Sequence, residues 1–288
     1  MEAYLDIIRE ILENGVKKEN RTGVDTIAVA GAMFKHDMSK GFPLLTTKRV
    51  PFRLVASELE FFIKGITDKK WLQERNNHIW DEWCNPEIVP YGHDKETKKK
   101  MAAERDLGPV YGFQWRHFGA EYKDYKTDYS GKGIDQLKMV VDKLKEDPQD
   151  RRMIISAWNP IAKPKMALPP CHYGFQVTVI DGKLNLLWNQ RSVDSALGLP
   201  FNIASYALLL HLLAKETGFE EGHLIGFLGD VHIYENHVEG LKEQLKRKPK
   251  QLPTINTEDF TSIFDWEYKD SKIEGYESHS HIKFEIAV

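Results

Sequence analysis

Cys171 is the residue of this sequence best suited to covalent chemistry. It follows a rigid Pro169-Pro170 pair, precedes His172, and is one of only two cysteines, the other being Cys84. A thiol is inert in an apolar core but becomes a nucleophile where nearby cations favour the thiolate. The segment therefore predicts a nucleophile if the chain supplies those cations, and a structural cysteine if it does not.

Glu58 is a candidate general acid or base. Its neighbours at i−4, i−3, i+3 and i+4 in a helical segment are all apolar: Leu54, Val55, Phe61 and Phe62. Residues at these spacings share one helix face, so the carboxyl group is predicted to point inward. Lost hydration would raise its pKa, which is how a general acid or base is tuned. A buried structural glutamate is the alternative.

Four arginines and a serine together fit a phosphate dianion. Arg21 lies in a turn, Arg151 and Arg152 precede a strand-like segment, and Arg191 and Ser192 follow another. The guanidinium group offers a planar fork of donors that matches phosphate oxygens, although each arginine alone is typical of a surface. Adjacent strand residues point to opposite faces. Arg151 and Arg152 could therefore serve one anion only with irregular backbone or in another subunit's site.

Three further side chains could recognise a nucleoside. Asn202 is either a helix N-cap or a reader of the N3–H and O4 edge of uracil, because an amide both donates and accepts. A carboxyl group there would suit cytosine better. His232 and Tyr234 share one strand face at i, i+2 spacing, either as structural residues or as donors to a sugar hydroxyl. The sequence lacks CxxC, HExxH, P-loop and GxGxxG motifs, so no metal site is expected.

Hydrophobic periodicity predicts several helices. The segment 202–217 is apolar nearly all round, which is typical of a buried helix, and Gly218 is its expected stop. Further helices are predicted at 3–14, 53–64 (closed by Gly65), 134–145 and 236–246.

Strands are predicted by alternation and by turn residues. The clearest signal is a hairpin over 175–188 around Asp181-Gly182. Other strand-like segments are 25–34, 152–158 and 282–288, while the polar insert 86–106, which contains Lys98-Lys99-Lys100, is expected to be a solvated loop or short helix. No repeat or linker interrupts residues 1–288. We therefore expect a single α+β domain with a mixed β-sheet flanked by helices.

Composition excludes several functional classes. The chain has 40 basic and 43 acidic residues, a net charge of −3, which argues against bulk nucleic-acid binding. Two cysteines are too few for a disulfide framework, so a reducing, cytoplasmic setting is expected. The N-terminal residues lack the pattern of a signal peptide, and no apolar run reaches the length of a membrane span.

Taken together, these residues resemble the thymidylate synthase family along nearly the whole chain, from Arg21-Thr-Gly to Ala287-Val288. The motifs that carry the resemblance are Leu45-Thr-Thr-Lys48-Arg49, Ile79-Trp80-Asp-Glu-Trp83, Asp106-Leu-Gly-Pro-Val-Tyr111-Gly, Arg151-Arg152, Leu168-Pro-Pro-Cys171-His172, Gln190-Arg191-Ser192-Val-Asp194, Gly198-Leu-Pro-Phe201-Asn202-Ile-Ala-Ser-Tyr206, Gly229-Asp230-Val-His232-Ile-Tyr234 and Ile273-Glu-Gly-Tyr276.

The resemblance implies a homodimer whose sheets pack across the subunit interface and whose sites are shared. It implies reductive methylation of dUMP to dTMP, with 5,10-methylenetetrahydrofolate giving both the carbon and the hydride and leaving as dihydrofolate. Cys171 would attack C6 of the uracil, because C5 is not nucleophilic until C6 is saturated covalently. Glu58 and Tyr111, with ordered water, would handle proton transfers, Asn202 would read the uracil edge and Asp194 would bind the pterin.

The resemblance also implies two sets of contact residues. Those for dUMP are Arg21, Gln190, Arg191, Ser192, Val193, Asp194, Asn202, His232, Tyr234, the partner's Arg151 and the partner's Arg152. Those for the folate are Lys48, Ile79, Trp80, Trp83, Leu168, Asp194, Leu197, Gly198, Phe201, Ile286 and Ala287. The last three residues, 286–288, would close over the folate as a lid that excludes water.

Several positions depart from the family pattern. Pro51 and Leu54 stand where a histidine and a serine usually touch the folate or its glutamate tail, so that contact is expected to change. Asn189 replaces a tyrosine, and Gly226-Phe227 replaces a His-Thr pair. These changes resemble the related nucleotide hydroxymethylases, which add water in place of hydride. A deoxyuridylate hydroxymethylase is therefore the alternative, although the large ring of Trp80 argues against water entry. A secondary role in RNA binding has little support from the charge.

Overall fold

Strands β5 (Lys183–Asp194) and β6 (Glu220–Tyr234) run parallel inside the main sheet and are joined by helix α7 (Gly198–Thr217). A parallel pair needs such a crossover, because a tight turn can join only antiparallel strands. Ser192 lies opposite Asp230, and Asp194 lies opposite His232. The C-terminal ends of both strands therefore finish side by side, next to the start of α7.

The other pairings in this six-stranded sheet are antiparallel, so the sheet is mixed, as predicted. The structure is a computed structural model that describes residues 1–20, 23–92 and 94–286. The strand order is β1-β2-β6-β5-β4-β3, with β1 at Val16–Lys18, β2 at Thr26–Asp37, β3 at Ile154–Ser156 and β4 at His172–Ile180. A separate two-stranded sheet pairs β7 (Thr254–Thr257) with β8 (Ser271–Glu274).

The predicted hairpin is confirmed as β4 and β5, which turn at Asp181-Gly182. Both residues have positive φ, 51° and 71°. Two successive positive φ angles belong to a type I′ turn, whose twist matches that of the flanking strands. The segments 25–34 and 152–158 are also confirmed as strands, although β3 occupies only the middle of the second one.

Helices flank the sheet and confirm the predicted periodic segments. No helix in the described part of the chain is long and apolar enough to cross a membrane. Besides α7, the helices are α1 (Glu2–Asn14), α2 (Phe52–Ile63), α3 (Lys69–Gln73), α4 (Lys95–Ala103), α5 (Tyr111–His117), α6 (Gln136–Glu146) and α8 (Val238–Leu245).

Helix α7 is buried on nearly all sides, as predicted, but it starts one turn earlier than the apolar pattern suggested. It begins at Gly198, so the interpretation of Asn202 as an N-cap is wrong. Pro200 falls in the first turn, where the missing backbone N–H would have had no partner inside the helix. At the other end Gly218 has φ 76°, and its N–H bonds the carbonyl of Ala214, which confirms the predicted stop.

One main core fills the space between the sheet and its helices. At its centre the rings of Trp188 and Tyr206 stack with centroids 5.4 Å apart. Gly226, on the neighbouring strand, lies against the Trp188 ring so closely that a Cβ atom there would sit 2.4 Å from it. Glycine at position 226, where the sequence departs from the family pattern, is therefore required by packing, because it leaves room for the indole ring of Trp188.

The polar insert contains a short helix, α4, which is one of the two forms expected. Its N-cap Asp94 accepts hydrogen bonds from the N–H groups of Glu96 and Thr97. The buried Lys69 ammonium donates to the carbonyl of Met101 at 2.6 Å and to that of Trp83 at 2.8 Å. This one cation therefore ties the insert to the loop that carries Trp83.

The prediction of a strand over 282–288 is wrong for the described residues of that segment. Residues 282–286 pair with no strand and lie along α8 instead. A Cβ atom at Gly240 would come within 3.1 Å of Ile282 and 2.6 Å of Phe284, so the two alternating apolar side chains pack on the helix. Alternation marks one buried face, and here a helix rather than a sheet covers that face. Residues 287 and 288 lie outside the described residues.

Candidate active site

Two hydrogen bonds fix the backbone of Cys171 at the entrance to β4. Its N–H donates to the Tyr111 hydroxyl at 2.8 Å, and its carbonyl accepts the N–H of Arg191 at 2.9 Å. The residue is half-buried. The backbone of Cys171 is thus anchored to both the first residue of α5 and the far end of β5.

Arg191 brings a cation to the cysteine segment. Its guanidinium group donates to the carbonyls of Pro170 and Pro169, each at 2.9 Å, and lies 5.6 Å from the ring of Trp158. The guanidinium group is thereby held on the segment that carries Cys171. The sequence alone gave no reason to single out Trp158, which belongs to a loop distant in the chain.

A network of amides orients Asn202. The Gln190 side-chain amide donates to Asn202 Oδ1 at 2.9 Å and to the Ser192 carbonyl at 3.1 Å, while Trp188 Nε1 donates to Gln190 Oε1 at 3.2 Å. An amide has two N–H donors and two oxygen lone pairs, and the bond from Gln190 orients the Asn202 amide while it occupies one of those lone pairs. This amide is therefore preset to both donate and accept.

The Glu58 carboxyl group points inward, as the helical spacing predicted. It accepts a hydrogen bond from Trp80 Nε1 at 2.8 Å. Burial raises its pKa from 4.5 to about 7, and the bond from Trp80 opposes part of that shift. A carboxyl group with this pKa can exchange a proton near neutral pH.

Tyr111 connects the cysteine to an aromatic cluster. The centroid of its ring lies 4.3 Å from that of the His172 ring and 6.1 Å from that of the Trp80 ring. Burial raises the pKa of Tyr111 well above its ordinary value, so the hydroxyl stays protonated. His172 bonds the Tyr206 hydroxyl through Nδ1 at 2.9 Å, and burial lowers its pKa to about 3. A neutral, buried imidazole supports the site but cannot accept a proton at neutral pH.

Asp194 and Lys48 meet at the start of α7. Asp194 Oδ1 accepts the N–H groups of Ala196 and Leu197 at 3.0 and 3.1 Å. Lys48 is buried and donates to the Ala196 carbonyl. Burial lowers the pKa of Lys48 to about 8, against the raising effect of the Asp194 charge. A buried ammonium and a carboxylate thus lie near one another at the edge of the site.

His232 and Tyr234 share a face at the end of β6, as predicted. Their rings meet edge to face with centroids 5.4 Å apart, and His232 Nδ1 lies 3.0 Å from Asp230 Oδ1. Asp230 also accepts a hydrogen bond from Lys18. The Asp230 carboxylate therefore orients the His232 ring. The sequence motif contains Asp230 but does not indicate this role.

Arg151 and Arg152 do not join the site of their own chain. Both are exposed, and Arg152 forms a two-pronged ion pair with Asp150 at 2.9 and 3.0 Å. Ile154, just beyond them, pairs with Gln176, which lies roughly 13 Å along β4 from His172. Arg21 lies outside the described residues.

Apolar side chains expected to meet a folate lie at the edge of the main core. Trp80 is nearly buried, and the others in this set are half-buried: Ile79, Trp83, Leu168, Leu197 and Phe201. Gly198 is the first residue of α7, and Val193 is fully buried. Ile286 is exposed, and Ala287 lies outside the described residues.

Within the described residues, no group of histidine, cysteine or carboxylate side chains is arranged to hold a metal ion. A groove of about 970 Å³ lies between Phe42, Phe219 and Phe260, at the opposite end of α7 from Asn202. None of the predicted site residues lines it.

Comparison with known proteins gives one consistent result. A family model described as thymidylate synthase matches residues 2–288. A bifunctional dihydrofolate reductase–thymidylate synthase from Paramecium tetraurelia is 47% identical over 285 residues, which is 99% of this chain and 61% of that protein. The chain therefore spans about three fifths of the length of this curated relative.

The raised pKa of Glu58 predicts a pH-dependent cost to stability. Because the folded-state pKa of about 7 lies above the ordinary 4.5, the folded protein holds this proton more tightly. The contribution of this bound proton to the free energy of unfolding is full below about pH 4.5 and is lost as pH rises through about 7. Glu58→Gln removes the titration. Relative to wild type, the variant should gain about 3 kcal/mol in free energy of unfolding between pH 4.5 and pH 8. Urea unfolding across this range measures the difference, and a difference independent of pH would contradict the assignment.

Proposed function

The chain belongs to the thymidylate synthase family, and we propose that it converts dUMP to dTMP by reductive methylation. 5,10-Methylenetetrahydrofolate is the co-substrate that supplies the one-carbon unit and the hydride, and it leaves as dihydrofolate. The observation that carries the proposal is the anchoring of Cys171 between the Tyr111 hydroxyl and Arg191. It joins a nucleophile, a cation and an acid–base group in one place.

Cys171 is the proposed nucleophile. Arg191 donates to the carbonyls of Pro169 and Pro170, the two residues directly before Cys171. Its positive charge therefore stays close to the cysteine segment while the thiolate forms. The thiolate adds to C6 of the uracil, and the electron pair of the C5–C6 bond moves to make C5 a carbon nucleophile. A thiol with this role requires a reducing compartment, and we expect the protein to work in the cytoplasm.

Glu58 and Tyr111 are the proposed proton-transfer groups. Glu58 has a pKa of about 7 and can therefore both give and take a proton at neutral pH. Trp80 joins the two, because it donates to Glu58 and its ring contacts that of Tyr111. The protonated Tyr111 hydroxyl, fixed on the Cys171 N–H, lies where a hydrogen bond to substrate can accompany attack.

Asn202 is proposed to select uracil. Its N–H can donate to O4 while Oδ1 accepts N3–H, and the bond from Gln190 already fixes the orientation of the amide. Cytosine presents an amino group and an unprotonated N3 at the same edge. Its amino donor would therefore face the N–H donor of Asn202, and its N3 acceptor would face Oδ1. Discrimination between the two bases would follow from the cost of leaving buried polar groups unpaired.

The sugar and phosphate contacts are proposed for β5 and β6, whose ends lie side by side. His232 and Tyr234 would hold the ribose hydroxyl, while Arg191 and Ser192 would bind the phosphate, with Arg21, Gln190 and Asp194 completing the set. Arginine binds a phosphate dianion through two parallel hydrogen bonds. The same Arg191 would then serve both the substrate and the nucleophile.

A homodimer is proposed because Arg151 and Arg152 lie away from their own site. Apolar side chains on the sheet's outer face, such as Met33 at 58% and Phe227 at 44% exposure, support a protein partner there. A second copy packing on this face would let each subunit supply its arginine pair to the other site. Both residues precede β3 (Ile154–Ser156), so strand alternation does not force their side chains to opposite faces.

The folate is proposed to lie against Trp80, Trp83 and the first turn of α7. The half-buried side chains of Ile79, Leu168, Leu197 and Phe201, with Gly198, would contact its rings, Asp194 would accept from the pterin, and Lys48 would meet its acidic end. Ile286 and Ala287 would cover it. Excluding water strengthens the hydrogen bonds inside the site and protects the intermediate.

Product analysis tests the proposed function directly. The protein is incubated with dUMP and 5,10-methylenetetrahydrofolate, dihydrofolate is followed by absorbance, and the nucleotide is identified by mass spectrometry. We expect dTMP and dihydrofolate in equal amounts, because the nearly buried Trp80 beside Glu58 leaves little room for water. Formation of 5-hydroxymethyl-dUMP without dihydrofolate would instead establish the hydroxymethylase alternative.

Replacing the nucleophile tests the covalent step. Cys171→Ser should lower turnover by about 10⁴-fold or more, because a hydroxyl is a far weaker nucleophile than a thiolate. The dissociation constant for dUMP should stay close to that of wild type, since the phosphate and base contacts remain. Cys84→Ser is the matched control and should retain turnover, because Cys84 is buried beside Val89 outside the proposed site. Substantial activity in the Cys171 variant would rule out its nucleophilic role.

Replacing Asn202 tests the recognition of the base. In Asn202→Asp the carboxylate can still accept from Gln190, so the local structure should persist. The ratio of kcat/KM for dUMP to that for dCMP should fall by at least about tenfold, which corresponds to one unpaired buried polar group. Steady-state kinetics with both nucleotides measure the ratio. An unchanged ratio would show that another group reads the base.

A further inference from the structure

His237 attaches the C-terminal segment to the body of the protein. Its Nε2 lies 2.6 Å from the carbonyl oxygen of Glu285. The carbonyl can only accept, so Nε2 carries the proton and donates. His237 is fully buried and ends the short 3₁₀ turn Glu235–His237 that joins β6 to α8. The main chain of the C-terminal segment is therefore tied to the end of the strand that carries Tyr234.

The His237 ring also lies between two other rings. On one side it meets Tyr234 with centroids 5.5 Å apart, and on the other it meets Phe284 at 5.1 Å, both edge to face. Phe284 is nearly buried and has the Lys48 ammonium 4.8 Å above its ring. A continuous row of contacts thus runs from Tyr234 through His237 and Phe284 to Lys48.

Gly240 makes room for this row. A Cβ atom at that position would lie 2.6 Å from Cε1 of Phe284, which is closer than real Cβ contacts allow. A glycine inside a helix costs stability relative to alanine. The close approach of Phe284 gives this glycine a packing role.

The second nitrogen of His237 points to a dedicated role. Nδ1 is buried and has no hydrogen-bond partner among residues 1–20, 23–92 and 94–286. Buried polar atoms without partners are rare and costly. Within the described residues, the polar contact of the His237 ring is thus the bond to Glu285. The Nε2–H donor of the ring is used to hold the C-terminal segment.

We propose that His237 is a positioning residue that couples nucleotide binding at Tyr234 to the placement of residues 282–286 beside Lys48. The proposal rests on the proposed function, in which Tyr234 holds the ribose and Lys48 and Ile286 contact the folate. A nucleotide that fixes Tyr234 fixes the His237 ring packed against it, and the ring then fixes Phe284 and the Glu285 carbonyl. By linkage, the folate side then tightens nucleotide binding to the same degree.

Hydrogen exchange of the intact protein tests the contact without any turnover. Amide exchange in residues 279–286, read by mass spectrometry, should be about tenfold faster in His237→Phe, which keeps a ring but loses the donor. Gly240→Ala, which keeps His237 and favours the helix, should have a similar effect by displacing Phe284. The control His36→Phe removes an equivalent Nε2–carbonyl bond, to Gly41 at 2.8 Å, and should leave this exchange unchanged. Wild-type exchange in both test variants, or equal acceleration in the control, would overturn the proposal.

Ligand measurements test the coupling. In wild type, dUMP should slow the exchange of residues 279–286, and His237→Gln, which restores a donor but not the ring, should lose that response. In His237→Phe the folate KM should rise about tenfold, while the dUMP dissociation constant without folate changes by less than about twofold. Equal losses for both ligands would indicate a merely structural role and overturn the proposal. A wild type that makes no dTMP would refute the proposed function instead, and the exchange without ligand would still test the His237 contact.

Discussion

The parallel pairing of β5 and β6 is the constraint on which the rest of the structure depends. It requires a crossover, and the crossover must bury α7 almost completely, because the helix crosses over the sheet inside the main core. As a result, the C-terminal ends of two strands and the N-terminal turn of one helix meet at one place. The amides of Gln190 and Asn202 and the ring of His232 come together there, although they belong to three successive elements, β5, α7 and β6.

Burial, more than ion pairing, sets the proton affinities of the site. The same loss of hydration acts in opposite directions on an acid and on a base, so it raises the pKa of Glu58 to about 7 and lowers that of Lys48 to about 8. Both groups are thereby brought towards neutral pH. His172 is moved away from it and stays neutral. One physical effect thus divides the titratable groups into those that can exchange protons and those that hold the site in shape.

The C-terminal segment shows how the periphery depends on the same strand end. Its docking uses a histidine in the turn after β6, a glycine on α8 and a lysine whose ammonium also donates to Ala196, just before α7. These contacts join the proposed nucleotide side of the site to the proposed folate side. Residues to which the sequence motifs gave no role, including Trp158, Asp230 and His237, support the residues to which the motifs did give one.

The sequence by itself determined the type of nearly every long element, because apolar periodicity and turn residues such as Asp181-Gly182 act locally. It also determined the inward direction of Glu58 and the shared face of His232 and Tyr234, which follow from helix and strand geometry alone. Only the tertiary structure decided where α7 begins and what covers residues 282–286. Pro200 is compatible both with the first turn of a helix and with the segment before one. An alternating apolar segment can pack either on a sheet or on a helix, so its sequence does not specify what covers it. The partners of Cys171 likewise come from distant elements, so their distances depend on packing across the whole core.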